Sequence, residues 1–187
     1  LYDSLQGYNT GWCTAGEETC KSQVKNGDFY VYYTKDETGD YKVPRLAIRM
    51  DGQTRIGEIR GVDKGQNVEP HMENVIEKKL EYFFYNENYK KRINDSKMLT
   101  YVYTKYEHKK ELTKEDLRFI YEIDRKIEGF GYEKDPRILE ISKNRNMRQD
   151  LAKVFDCDEE EIGLTLEDLK KENKLKVFIG DLDLRSL

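Results

Sequence analysis

A cysteine thiol becomes a nucleophile when its surroundings favour the thiolate, and the unpaired amides and dipole of a helix N-terminus do so. Cys13 lies in Gly11-Trp12-Cys13-Thr14-Ala15, beside the only Trp of the chain, just before a stretch that reads as a helix. A nucleophilic cysteine also needs a base. The chain has two histidines, His71 and His108, and His71 is the candidate that can return to Cys13 after the strands between them. With Asn67 or Gln66 orienting the imidazole, such a set would act on an amide or ester. The same pattern equally describes a small buried residue packing a helix on a sheet, with His71 a surface residue at the start of its own helix.

A second group can recognise anions. Arg45 and Arg49 alternate with Leu46, Ile48 and Met50, so they share one strand face with Ala47. Arg60 closes the next strand, and three guanidinium groups there could hold a carboxylate or phosphate by paired hydrogen bonds. Arg49 facing Glu58 across the two strands is the competing reading. Gly61–Asn67 (GVDKGQN) has two glycines, Gln66 and Asn67, and can form an anion-holding turn, but it lacks the Walker pattern. From Lys90 to Lys110, seven bases stand against Asp95 and Glu107; a solvated helix face or a phosphate-contacting surface accounts for that excess.

The elements that must position these residues follow from pattern. Thr14 with Glu17 reads as a capping box and Asn26-Gly27 as a stop, giving a helix over 15–25. Asp28–Thr34, Pro44–Met50 and Arg55–Arg60 read as antiparallel strands, the last two joined by an Asp51-Gly52 hairpin turn, with Gly57 marking a bulge. Pro44 belongs at a strand start because it has no amide to donate. Helical spacing then runs through Glu69–Tyr85, through the apolar residues after Asp95, from Thr113 to Ile127, and from Asp135-Pro136 to about Phe155. Thr165–Lys171 reads as a short further helix. The fold class is α+β: a small antiparallel sheet with one short helix, then a helical half and a C-terminal β segment. The corresponding regions are 1–85, 86–172 and 173–187, the last read as the start of a hairpin or of a repeat array.

Composition narrows the field. The chain has 187 residues, 37% of them hydrophobic and 37% charged, with a formal net charge of -4. No stretch approaches the roughly 20 apolar residues of a spanning helix. The small net charge supplies no bulk attraction to nucleic acid or lipid. Cys13, Cys20 and Cys157 form no C-x-x-C pair, so neither a disulfide framework nor a zinc site is expected, and no cofactor is. The expected location is a reducing cytoplasm. Leu1 in place of Met suggests numbering that begins inside a longer protein, so flanking domains of the same chain are expected partners.

Trp12-Cys13-Thr14, followed by GDFYVYYTKD, VPRLAIRM and IRGVDKGQN, resembles an uncharacterised bacterial family of phage and mobile-element proteins that share a Trp-Cys-Thr motif. More distantly, residues 8–84 are similar to the PcfJ-like proteins of conjugative plasmids, where a His-Cys-Val motif precedes a helix, a short sheet and a closing Gln-x-x-Gly-x-x-Asn. Residue by residue, Trp12, Cys13, Thr14, Gln66 and Asn67 match. Trp12 stands where the plasmid family has His, which removes the base nearest the cysteine. DLRFIYEIDRKIEGFGYEKDPRI resembles a segment that accompanies this domain in longer bacterial proteins, and GDLDL resembles their trailing repeats. The resemblance implies an association with mobile DNA. Because the sequence shows no metal cluster, phosphate loop or convincing triad, the leading reading is a binding or scaffolding module of a larger phage or mobile-element protein, with protein or nucleic acid of that element as partner. A Cys13-dependent hydrolase or transferase and a single-stranded nucleic-acid binder are the alternatives.

Overall fold

The structure is a computed structural model that describes residues 1–8, 16–62, 64–83, 87–170 and 174–180. It divides into two compact units, residues 1–101 with 127–137, and residues 102–126 with 138–187. The architecture is α+β, as the pattern predicts.

In the first unit, helix α1 (Glu17–Asn26) is followed by strands β1 (Phe29–Lys35), β2 (Tyr41–Asp51) and β3 (Arg55–Gly61). They form one antiparallel sheet in the order β1-β2-β3. Register follows from the alternation of β2. Leu46, Ile48 and Met50 are buried on one face, and Ile48 sits between Tyr30 and Ile59. That face packs against Ile76 and Leu80 of α2 (Glu73–Leu80), Ile93 of α3 (Glu87–Glu107) and Phe130. On the opposite face, which carries Arg45 and Arg49, Ala47 is buried under Leu5 and Cys20.

Glycine is required where the end of α1 meets the hairpin. A Cβ on Gly27 would lie 2.2 Å from the Met50 carbonyl oxygen, a contact no side chain can occupy. The Gly52 amide donates to the Asn26 carbonyl and the Asp28 amide to the Gly52 carbonyl, each at 3.0 Å. Gly52 itself turns the hairpin with φ 72. The register shift at Arg49/Met50 leaves Gly57 as the bulged residue, as expected. Pro44 does not open its strand: β2 begins at Tyr41, and Pro44 faces Tyr33 beside a register irregularity that relaxes the demand for a ladder amide.

The helices depart from the pattern in three places. α3 begins at Glu87, so Asp95 lies inside it, 1% exposed, and accepts the Glu128 amide at 3.0 Å. In the second unit, α4 (Lys114–Ile120) has the expected Thr113–Asp116 capping box but stops before Ile127. The chain breaks at Glu122, whose φ is 52, and Ile123 turns into the cluster around Leu151 and Ile162. The helix expected from Pro136 to Phe155 is two, α5 (Pro136–Lys143) and α6 (Met147–Phe155). Asn146 makes the break, because its side chain accepts the Arg148 and Gln149 amides and caps α6. The second unit ends with β4 (Ile162–Gly163), α7 (Leu166–Lys170) and β5 (Val177–Phe178), the two short strands pairing in parallel. Among the described residues, no helix is long and apolar enough to cross a membrane.

Candidate functional site

The three arginines singled out by pattern lie on one face of the sheet, and each ends on an oxygen of the protein. Arg45 donates through Nε to Thr34 Oγ1 at 2.8 Å and through Nη1 to Glu69 Oε1 at 3.1 Å. Arg49 donates to Asp51 Oδ1 at 2.5 Å and stands 3.7 Å from Glu58, its cross-strand neighbour. Arg60 bonds Glu58 Oε1 through Nε at 2.8 Å, gives Nη1 to the Phe130 carbonyl, and lies 3.8 Å above the Tyr132 ring. Three cations are thus set against Asp51, Glu58 and Glu69. That balance makes the face a structured ion-pair surface.

The segment Gly129–Tyr132, a strap that also takes Arg60 at the Phe130 carbonyl, lies against the loop that carries Gln66 and Asn67. The Tyr132 amide donates to the Gly65 carbonyl at 2.9 Å. Both amide residues are buried, at 8% and 3% exposure. Asn67 fills the space beside Gly131, where a Cβ would lie 2.6 Å from its Oδ1. These residues hold one loop against another.

His71 lies within the turn Pro70–Met72 with its side chain 54% exposed, and Glu69 stands 4.0 Å from its Nε2. Trp12, Cys13 and Thr14 lie outside the described residues. His108 is exposed at the end of α3, its Nδ1 2.7 Å from the Thr104 carbonyl. Of the other cysteines, Cys20 is buried beneath the sheet. Cys157 lines an open cleft of about 450 Å³ with Asp156, Asp158, Glu159 and Glu161. Burial and then the Glu161 carboxylate push its thiol above the ordinary value, away from thiolate reactivity. Among the described residues, no group of three His, Cys, Asp or Glu side chains could hold a metal ion.

The basic stretch is also partly committed. Lys91 pairs with Glu128, Lys97 with Glu77 at 2.7 Å, and Lys105 with Asp116 at 2.6 Å. Arg92 lies 5.6 Å from the Tyr89 ring centroid. Its excess of charge over Lys90–Lys110 is therefore smaller in space than in sequence.

Pattern missed Phe130, Tyr132 and Tyr89. The first two belong to Gly129-Phe130-Gly131-Tyr132, which reads simply as the end of a helix; two glycines bracketing an aromatic residue were the signal for a close backbone approach. Tyr89 donates to the Gly57 carbonyl at 3.0 Å and fixes α3 to the bulge of β3. Burial raises its phenol above the usual value. Comparison of the chain with family models, curated proteins and solved structures gives no match.

Proposed function

We propose that this chain is a binding or scaffolding module of a larger phage or mobile-element protein, working through fixed surfaces rather than through a reacting side chain. The observation that carries the reading is the sheet face, where Arg45, Arg49 and Arg60 are each held by protein oxygens with side chains 32%, 21% and 11% exposed. Charges pinned in this way keep one geometry and lose little freedom when a partner docks. Paired acids and bases also favour a partner whose surface carries both signs, such as another protein, over a uniform polyanion. The link to mobile elements comes from the Trp12-Cys13-Thr14 resemblance.

The test compares iodoacetamide alkylation of the wild type, Cys13→Ser and His71→Ala at pH 7. For a module, Cys13 reacts no faster than a free thiol, and His71→Ala leaves that rate unchanged. Fast, selective alkylation of Cys13 that slows in His71→Ala overturns the reading in favour of a cysteine-dependent enzyme.

A further inference from the structure

Two loop segments of the first unit, around Gly65–Asn67 and Gly129–Tyr132, lock into each other in a way that leaves one residue badly served. The Gly65 carbonyl is held by the Tyr132 amide at 2.9 Å. Two residues on, the Asn67 carbonyl oxygen occupies the place of a Cβ on Gly61, 1.8 Å from where that atom would be. With the peptide on either side pinned, Gln66 must absorb the turn between them. It does so in the left-handed region, at φ 62, following Gly65 at φ 67. Glycine enters that region without penalty, whereas glutamine meets its own Cβ. The side chain fares no better: Gln66 is 8% exposed, and its Oε1 has no hydrogen-bond partner among the described residues. A buried acceptor left unbonded opposes the state that buries it.

The strap is retained by other contacts. Phe130 is 2% exposed in the core beneath the sheet. Its carbonyl takes Arg60 Nη1, and the Tyr132 ring covers the Arg60 guanidinium while its hydroxyl stands 3.4 Å from Glu58 Oε1. Docking therefore sets an aromatic anchor and an arginine clamp against a strained, unsolvated glutamine.

We propose that Gly129–Tyr132 is a releasable strap whose docking forces Gln66 into its left-handed conformation and shields Arg60. When the strap lifts, Gln66 relaxes to an extended or right-handed conformation and its amide regains water. The Arg60 guanidinium then loses its internal carbonyl acceptor and its aromatic cover and keeps its bond to Glu58. This device stands on geometry within the first unit and holds independently of how Cys13 behaves.

Native-state hydrogen exchange on the full chain tests it, with the Tyr132 amide reporting the strap and the Ile48 amide of the central strand reporting global unfolding. Tyr132 is expected to exchange at least about tenfold faster than Ile48, because release needs only local opening. Gln66→Gly removes both the Cβ conflict and the unbonded oxygen and is expected to slow Tyr132 exchange roughly tenfold. Equal rates for Tyr132 and Ile48 in the wild type overturn the proposal, since the strap would then open only when the protein unfolds. An unchanged or faster Tyr132 rate in Gln66→Gly overturns it as well, since docking would then not be straining that residue.

Discussion

The Arg60 guanidinium lies over the Tyr132 ring at 3.8 Å, and the same arginine reaches the Phe130 carbonyl and Glu58. One side chain at the end of β3 therefore ties a distant segment to the sheet by a cation–π contact and two charge-assisted hydrogen bonds.

Arg60→Ala should consequently lower stability by about 2–3 kcal/mol, as the Phe130 carbonyl and Glu58 both lose a charged donor. Arg60→Lys should recover less than half of that, because an ammonium cannot stack flat and bond in two directions together. Urea denaturation of the two variants reads the difference; equal midpoints for Arg60→Lys and the wild type would count against this role.

In the second unit, Asp116 should make folding sensitive to acid. Burial pushes its carboxyl up, but the bonds from Lys105 and Thr113 prevail and hold it below the ordinary value of 3.8. A lowered folded value means that the unfolded chain takes up the proton more readily. The stabilisation is therefore complete above pH 3.8 and is lost as pH falls through the lower folded value. Asp116→Asn should cost on the order of 3 kcal/mol at pH 7, since Lys105 is left facing a neutral group. It should also flatten the acid limb of a stability–pH curve; a limb unchanged from wild type would show that other carboxylates carry it.

Binding to single-stranded nucleic acid should be weak. Lys91, Lys97 and Lys105 already face carboxylates, and the chain as a whole carries a formal charge of -4. Fluorescence anisotropy with a labelled oligothymidine should show no submicromolar binding at about 0.15 M salt. Tight binding there, with a log–log salt slope near −0.7 per contacted phosphate, would promote the nucleic-acid reading.

The thiols should separate by reactivity. Cys20 is 4% exposed and should label only when the protein unfolds. Cys157 is reachable, but burial and Glu161 hold its thiol above the ordinary value, so it should react more slowly than a free thiol at pH 7. Glu161→Gln should speed it by roughly two- to fivefold by removing the like charge. Mass spectrometry of partly alkylated protein resolves the three sites; Cys20 labelling ahead of Cys157 in folded protein would contradict the burial described.

Much of the architecture was written in local pattern. The period-two alternation of Leu46, Ile48 and Met50 fixed which face of β2 is buried, because a slip of one residue would turn all three to solvent. Asp51-Gly52 set the hairpin, Gly57 its bulge, and Thr113 with Asp116 the start of α4, each through chemistry confined to a few neighbours. Local pattern failed where a distant group decided the outcome. Asp95 reads as a helix start, yet a long-range bond to the Glu128 amide lets it sit buried within α3. The single helix expected from Pro136 to Phe155 divides because the Asn146 side chain competes for backbone amides.

The candidate site divides along the same line. Residue types and alternation place Arg45, Arg49 and Arg60 on one face, since side-chain direction along a strand is a property of the strand. Whether those arginines are open or engaged depends on Glu69, Phe130 and Tyr132, which reach them from other parts of the chain, and on Asp51 two residues along the same strand. Gly129-Phe130-Gly131-Tyr132 carries no local sign of its partner. Only the folded first unit sets it against Gly65 and Asn67, because the Gly65 carbonyl and the Asn67 side chain can approach that closely only where Gly131 carries no Cβ.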